Sequence, residues 1–127
     1  MPAARPRFDA RWWSWVPILL ALYFLVARAP LPLVKSWWMA GQDNWNDPWH
    51  RRERMADGML LSRSLMGLTR AEVIASLGAP PPTNYFRGWS LVYNLGAERG
   101  FVSIDSEWLV IRFDESDRVC DVRIVTD

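Results

Sequence analysis

The sequence is poor in the residues on which most protein chemistry depends. Among its 127 residues there is one cysteine, Cys120, and one histidine, His50. A single thiol cannot close an intrachain disulfide, form a CxxC redox pair or build a cysteine zinc site, and one imidazole leaves a metal centre equally short of ligands. No metal and no cofactor is therefore expected. Charge of one sign is lacking too, because 15 Lys and Arg stand against 14 Asp and Glu, a net charge of +1. Without a basic field there is no electrostatic footprint for nucleic acid, and no nucleic-acid partner is expected. Internal repeats and low-complexity tracts are absent. The length allows one small domain with an appendage, since domains run to roughly 100–150 residues.

Tryptophan, by contrast, is abundant. Seven of the nine (Trp12, Trp13, Trp15, Trp37, Trp38, Trp45 and Trp49) lie in the first 50 residues. Between the two leading clusters, residues 16–27 are uncharged and mostly aliphatic, and Trp and Tyr are enriched where a span meets lipid headgroups. The pattern predicts a transmembrane helix over 12–34, with Trp12, Trp13, Trp15, Leu19, Leu22, Phe24 and Leu25 facing lipid. A cleaved signal peptide is the rival, because Ala27-Arg28-Ala29 has the small-x-small form. Pro30 would sit just after the scissile bond and obstruct cleavage, so the segment is read as an uncleaved anchor. Arg5, Arg7 and Arg11 precede it, against Arg28 and Lys35 behind, which places the N-terminus in the cytoplasm. The expected location is the bacterial inner membrane, single-pass, with residues 1–11 cytoplasmic and the C-terminal part periplasmic.

Residues 35–47 are polar and turn-forming, and read as a tether whose Trp37, Trp38 and Met39 either lie in the membrane interface, the reading favoured by their place directly after the span, or fold back onto the domain. From residue 48 the pattern becomes that of a folded domain. Asp47-Pro48 resembles an N-cap followed by a first-turn proline, and Met55, Met59, Leu60 and Met66 recur near helical spacing, giving a helix over about 48–65. Gly58 weakens it, and the charged run His50 to Arg54 reads as its solvated face. Thr69 and Glu72 have capping-box spacing, Val73, Ile74 and Leu77 form a narrow apolar face, and Gly78 with Pro80 ends the second helix. Alternation then takes over. Trp89, Leu91, Tyr93 and Leu95 form one set, Leu109, Ile111 and Phe113 a second, and Cys120, Val122 and Ile124 a third, which makes Cys120 a small buried residue. Short loops predict an antiparallel sheet under two helices, a two-layer α-α-β-β-β domain of the α+β class over 48–127.

The ordered elements Gly67-Leu68-Thr69-Arg70-Ala71-Glu72-Val73 and Leu77-Gly78-Ala79-Pro80, an aromatic strand at Trp89 and Tyr93, then residues 109–114 and 119–124, resemble the SmpA/OmlA (BamE-like) domain family. The resemblance covers about half the chain. It implies a small non-enzymatic module of the bacterial envelope that binds other proteins, with a role in envelope or outer-membrane protein assembly. An anchor stands here where family members usually carry a lipobox cysteine. In that reading Gly67, Thr69, Glu72, Val73, Leu77, Gly78 and Pro80 are structural, and the partners are a lipid bilayer and another envelope protein. The alternative is a small single-pass accessory subunit of an inner-membrane enzyme or transporter. No catalytic site is expected, because the acidic residues from Asp105 to Asp121 fall in turns or at strand ends, where solvated carboxylates are ordinary. The sheet face bearing Trp108, Val110 and Arg112, with Phe101 nearby, is a candidate partner surface. The connector carrying Tyr85 and Phe86 is equally placed to fold over it.

Overall fold

The computed structural model describes Ala3 and residues 10–127; Arg5 and Arg7, read above as flanking a span, lie outside the described residues. A 3-10 helix, Ala10–Trp15, leads into α1, Val16–Arg28, where Pro17 occupies the first turn and its missing N–H costs least. Helix formation stops at Ala29, which is extended (φ −61°, ψ 145°), and Pro30 and Pro32 offer no N–H to resume it. α1 therefore has 13 residues, about 20 Å of rise against a hydrocarbon core of about 30 Å. No helix among the described residues is long and apolar enough to cross a membrane. The transmembrane helix expected over 12–34 is corrected on that ground, and with it the signal anchor, the single-pass inner-membrane location and the assignment of sides.

The remaining elements are α2 (Lys35–Ala40), a 3-10 turn (Gly41–Asp43), α3 (Arg51–Ser62), α4 (Arg70–Leu77), β1 (Leu91–Ala97), β2 (Ser106–Phe113) and β3 (Val119–Thr126). The strands form one antiparallel sheet in the order β1-β2-β3. Its inner face presents Leu91, Tyr93, Leu95, Leu109, Ile111 and Val119 to Met55, Met59, Leu65, Val73 and Leu77 of the helical layer. α4 starts at a complete capping box: the Thr69 hydroxyl accepts from Glu72 N–H at 3.2 Å, and Thr69 N–H donates to Glu72 Oε1 at 3.3 Å. Gly78 closes it at φ +78°, ψ 164°, a positive φ that a side chain would strain.

Four local expectations change. Residues 35–47 are not a free tether, because Trp38 is fully buried, donating Nε1–H to Leu77 O at 3.0 Å and lying edge-on to Tyr93. α3 begins at Arg51 rather than 48, because His50 is left-handed (φ 47°); Asp47 instead caps the preceding turn, accepting from Trp49 and Arg51 N–H. Trp89 precedes β1 in a turn closed by its N–H to Phe86 O at 3.0 Å, which puts its ring on the outer face. Cys120 is exposed, since Arg112 faces Asp121 while Phe113 faces Val119, leaving Cys120 as the extra residue of a β-bulge and sending Val119 into the core in its place.

Candidate interaction surface

On the outer face of the sheet, Val92, Trp108 and Val110 are buried rather than open. The connector between α4 and β1 covers them. Phe86, itself left-handed (φ 52°), meets Trp108 edge-on with ring centroids 6.0 Å apart, and Tyr85 lies at 5.1 Å from the same ring. The Arg112 guanidinium lies 4.1 Å from the Trp89 ring centroid, and that of Arg123 lies 5.6 Å from it. Trp108 retains only 7% exposure and Val110 none, so the candidate partner surface at Trp108, Val110 and Arg112 is a second small core with an arginine rim. Phe101 does not join it. It stands fully exposed on the loop between β1 and β2.

The charged run at the start of α3 is not a solvated face, since Arg52, Glu53 and Arg54 are all buried. Each has an inward partner. Arg52 donates Nη1–H to Asn94 O and lies 4.2 Å from the Trp38 ring centroid. Burial lowers its pKa to about 10, against the favourable charge of Glu53. Arg54 donates Nε–H to Ala29 O at 2.8 Å and Nη2–H to Val26 O at 2.6 Å, joining the end of α1 to α3. Arg99, from the β1–β2 loop, bridges Asp57 of α3 and Glu107 of β2. Burial opposes its charge, but hydrogen bonds to both carboxylates outweigh that and hold its pKa above the ordinary guanidinium value. Tyr93 donates its hydroxyl to Gly78 O at 2.8 Å, and burial pushes its pKa up to about 12.

Glu53 is only 2% exposed and meets His50 Nδ1 at 3.2 Å. Burial raises its pKa from 4.5, Glu107 adds to the rise, and backbone and His50 hydrogen bonds oppose it. Because the folded chain holds this proton more tightly than the unfolded chain, Glu53's contribution to stability is complete below pH 4.5 and is lost as pH rises through the raised value. Glu53→Gln removes that titration. The urea midpoint of the variant is expected to change less than the wild type's between about pH 5 and about pH 8, each pKa unit corresponding to about 1.4 kcal/mol. Parallel pH profiles for the two proteins would remove Glu53 as the cause.

The family-like residues build the fold. Gly67 N–H donates to Val119 O, Thr69 and Glu72 form the capping box, Val73 and Leu77 lie in the core, and Gly78 O receives the Tyr93 hydroxyl. Exposed large apolar side chains include Trp37, Met39, Trp45 and Trp49 in the segment before α3, and Leu61 at the end of α3, and two further stretches stand out. The first is α1, which contributes no buried residue and carries no polar face, Arg28 at its last position being its one charged side chain. Leu19, Leu22, Phe24 and Leu25 are all more than half exposed, Leu25 at 71%, and Trp12, Trp13 and Trp15 continue the surface before it. The second is the loop of residues 98–105, where Phe101, Val102 and Ile104 point outward. That loop gives no periodic signal, and the Arg99 bridge at its base joins residues far apart in sequence. An open groove of about 490 Å³ also runs between α3 and β3, lined by Met59, Leu60, Leu65, Met66 and Val122. No protein-family model, curated protein or solved structure matches the chain.

Proposed function

We propose that this chain is a non-enzymatic binding module of the SmpA/OmlA type, held against lipid by α1 while its α/β domain engages another protein. The observation that carries the reading is the all-round apolar exposure of α1. A helix docked in a protein groove hides one face and keeps a polar face for water, whereas a helix apolar on every side is at rest only when surrounded by an apolar medium. The reading requires burial of these side chains in hydrocarbon, not passage across a bilayer. The domain's buried charged side chains are engaged within the fold, Arg52 with Asn94 O, Arg54 with Val26 and Ala29 O, Glu53 with His50 and Glu107 with Arg99. Fully burying a Leu or Phe side chain contributes about 1.5–3 kcal/mol.

Flotation of the full chain with vesicles of phosphatidylethanolamine and phosphatidylglycerol tests the attachment. The wild type is expected to float, and a variant with Leu19, Leu22, Phe24 and Leu25 each changed to Ser to lose affinity by at least about 100-fold, an estimate set by the apolar area removed. Its domain should keep the wild-type circular dichroism and urea midpoint, since α1 contributes nothing buried. A wild type that stays at the bottom of the gradient, or a variant that floats equally well, would overturn the lipid reading.

A further inference from the structure

The two edges of the sheet are treated differently by the rest of the chain. The free side of β1 is occupied: Ala97 N–H donates to Trp45 O at 2.9 Å, and Asn94 O accepts from the buried Arg52 guanidinium. On β3 only the start is covered, where Val119 N–H donates to Leu68 O at 2.8 Å and Val119 O accepts from Gly67 N–H at 3.0 Å. Beyond that point the register gives the direction of each backbone group. Ser106 O accepts from Asp127 N–H on the β3 side, while Ile111 O accepts from Ser90 N–H on the β1 side. Antiparallel strands alternate between pairs that exchange hydrogen bonds and pairs that do not. Asp121, Arg123 and Val125 therefore bond to β2, whereas Val122, Ile124 and Thr126, opposite Ile111, Leu109 and Glu107, turn their N–H and C=O groups outward. No other segment among the described residues bonds to those groups. The stretch also lacks the proline, lysine or bulge that commonly blunts an edge, and it stands as a template for another strand.

The charges along the edge select that strand. Residues 123–127 read Arg-Ile-Val-Thr-Asp, positive at one end and negative at the other. Laid antiparallel to a second copy of itself about a two-fold axis at Val125, this stretch sets Arg123 opposite Asp127 on both sides of the axis. Ile124 then meets Thr126, and each such pair exchanges both of its backbone hydrogen bonds. Val125 with its own copy, and Arg123 with Asp127, fall at the closer positions that exchange none, with Cα atoms about 4.5 Å apart. Both charged groups have capacity for this. Arg123 holds Asp121 of its own chain through Nε and Nη2, which leaves Nη1, and Asp127 accepts from Ser106 N–H through Oδ1, which leaves Oδ2. Neighbouring registers fail. An axis at Arg123 opposes two arginines, and one at Ile124 opposes Asp121 and Asp127. An axis at Val122 drives residue 125 of the copy into the segment that covers Val119.

We propose that the chain forms a two-fold dimer through β3, making one continuous sheet in the order β1-β2-β3-β3-β2-β1. The axis runs through the sheet, so both helical layers lie on the same side of it. The pairing does not depend on what surrounds α1.

Crosslinking and sedimentation of the full chain test it, in dodecyl maltoside so that detergent covers α1. Cys120→Ser with Val125→Cys should give a disulfide-linked dimer on oxidation with diamide, because the two residues face each other at a separation a disulfide accepts. Cys120→Ser with Arg123→Cys should not, since the two positions 123 are offset by four residues, about 14 Å. In sedimentation equilibrium the wild type should dimerise. Arg123→Asp opposes like charges twice in each dimer and should weaken association about tenfold, and Arg123→Asp combined with Asp127→Arg should restore it. These charge variants carry the test if a cysteine at 125 disturbs the outer core. A wild type that sediments as a monomer overturns the pairing and leaves the edge to a strand from another protein. A dimer that Arg123→Asp leaves equally tight places the contact elsewhere and overturns it too. Crosslinking at 123 as efficient as at 125 overturns the register on which the proposal stands.

Discussion

Trp38→Ala unfolds most of the domain, or leaves it so marginal that urea below its ordinary midpoint suffices. The indole is completely buried between the helical layer and β1, with Tyr93 edge-on at 5.9 Å and the Arg52 guanidinium 4.2 Å from its ring centroid. Removing so large a ring costs about 3–5 kcal/mol through lost burial and the cavity left behind. Three further effects add to that. Leu77 O loses its donor at the end of α4, the Arg52 charge loses the ring it lies over, and α2 loses the side chain that joins it to the core. Since small domains have only about 5–15 kcal/mol in total, the loss is a large share. Trp38→Phe is the milder change, because it keeps a six-membered apolar ring in the site and loses the smaller ring with its N–H, for a cost of about 1–3 kcal/mol. Urea titrations monitored by circular dichroism give both values. A Trp38→Ala protein with the wild-type midpoint would mean that the segment 35–47 does not hold the domain, and would restore its reading as a tether.

Which parts of the molecule were legible in the sequence follows from how local the determining physics is. The capping box at Thr69 and Glu72 is legible because both partners lie within one helical turn, and the residues that satisfy the box are the residues that define it. Alternation of Leu91, Tyr93 and Leu95, and of Leu109 and Ile111, is legible for the same reason: each strand states its buried face by itself. What is not legible depends on a partner far away in the chain. Trp38 reads as an interfacial tryptophan until Leu77 O and Tyr93 are brought to it, and Arg52, Glu53 and Arg54 read as a wet surface until Asn94, His50 and the end of α1 supply their bonds. Cys120 was misplaced by a single extra residue, because one bulge shifts the face of every side chain on one side of it. The length of the apolar helix is a subtler case. Composition from Trp12 to Val34 is apolar enough to suggest a span, but prolines at 30 and 32 decide where helical hydrogen bonding ends, and α1 stops at Arg28. For the candidate surface, the sequence pointed at Trp108 and Val110, and the connector at Tyr85 and Phe86 closed over them. Phe101 stayed open, and the features that single out its loop, the exposed Val102 and Ile104 and the Arg99 clamp, belong to tertiary structure.

Gly58 shows the same division with the sign of an effect reversed. Within α3 a glycine is the weaker helix former, and Gly58→Ala at a free helix position would stabilise by about 1 kcal/mol. Here a Cβ at residue 58 would stand 2.2 Å from Leu31 O and 3.1 Å from Leu31 C, far inside contact distance, and the obstacle is backbone rather than a side chain able to swing aside. The chain segment after α1 crosses α3 at this point, held by Leu31 N–H to Arg54 O at 2.9 Å and by the Arg54 guanidinium to Ala29 O. Leu31 also packs against the main core. Alanine must therefore push the crossing segment off the helix, breaking that hydrogen bond and loosening the Arg54 contacts beside it. The expected net result is destabilisation by about 2–3 kcal/mol, the overpacking cost exceeding the gain in helix propensity. It should come with faster proteolysis between residues 29 and 34, because the freed segment becomes accessible before the domain unfolds. Gly88→Ala is the control, since a Cβ there meets nothing within 4 Å and the change should lie within about 0.5 kcal/mol of neutral. Should Gly58→Ala instead raise the urea midpoint, α3 would have to be free of the crossing segment. The hydrogen bond from Leu31 N–H to Arg54 O would then not be what holds the end of α1 to the domain.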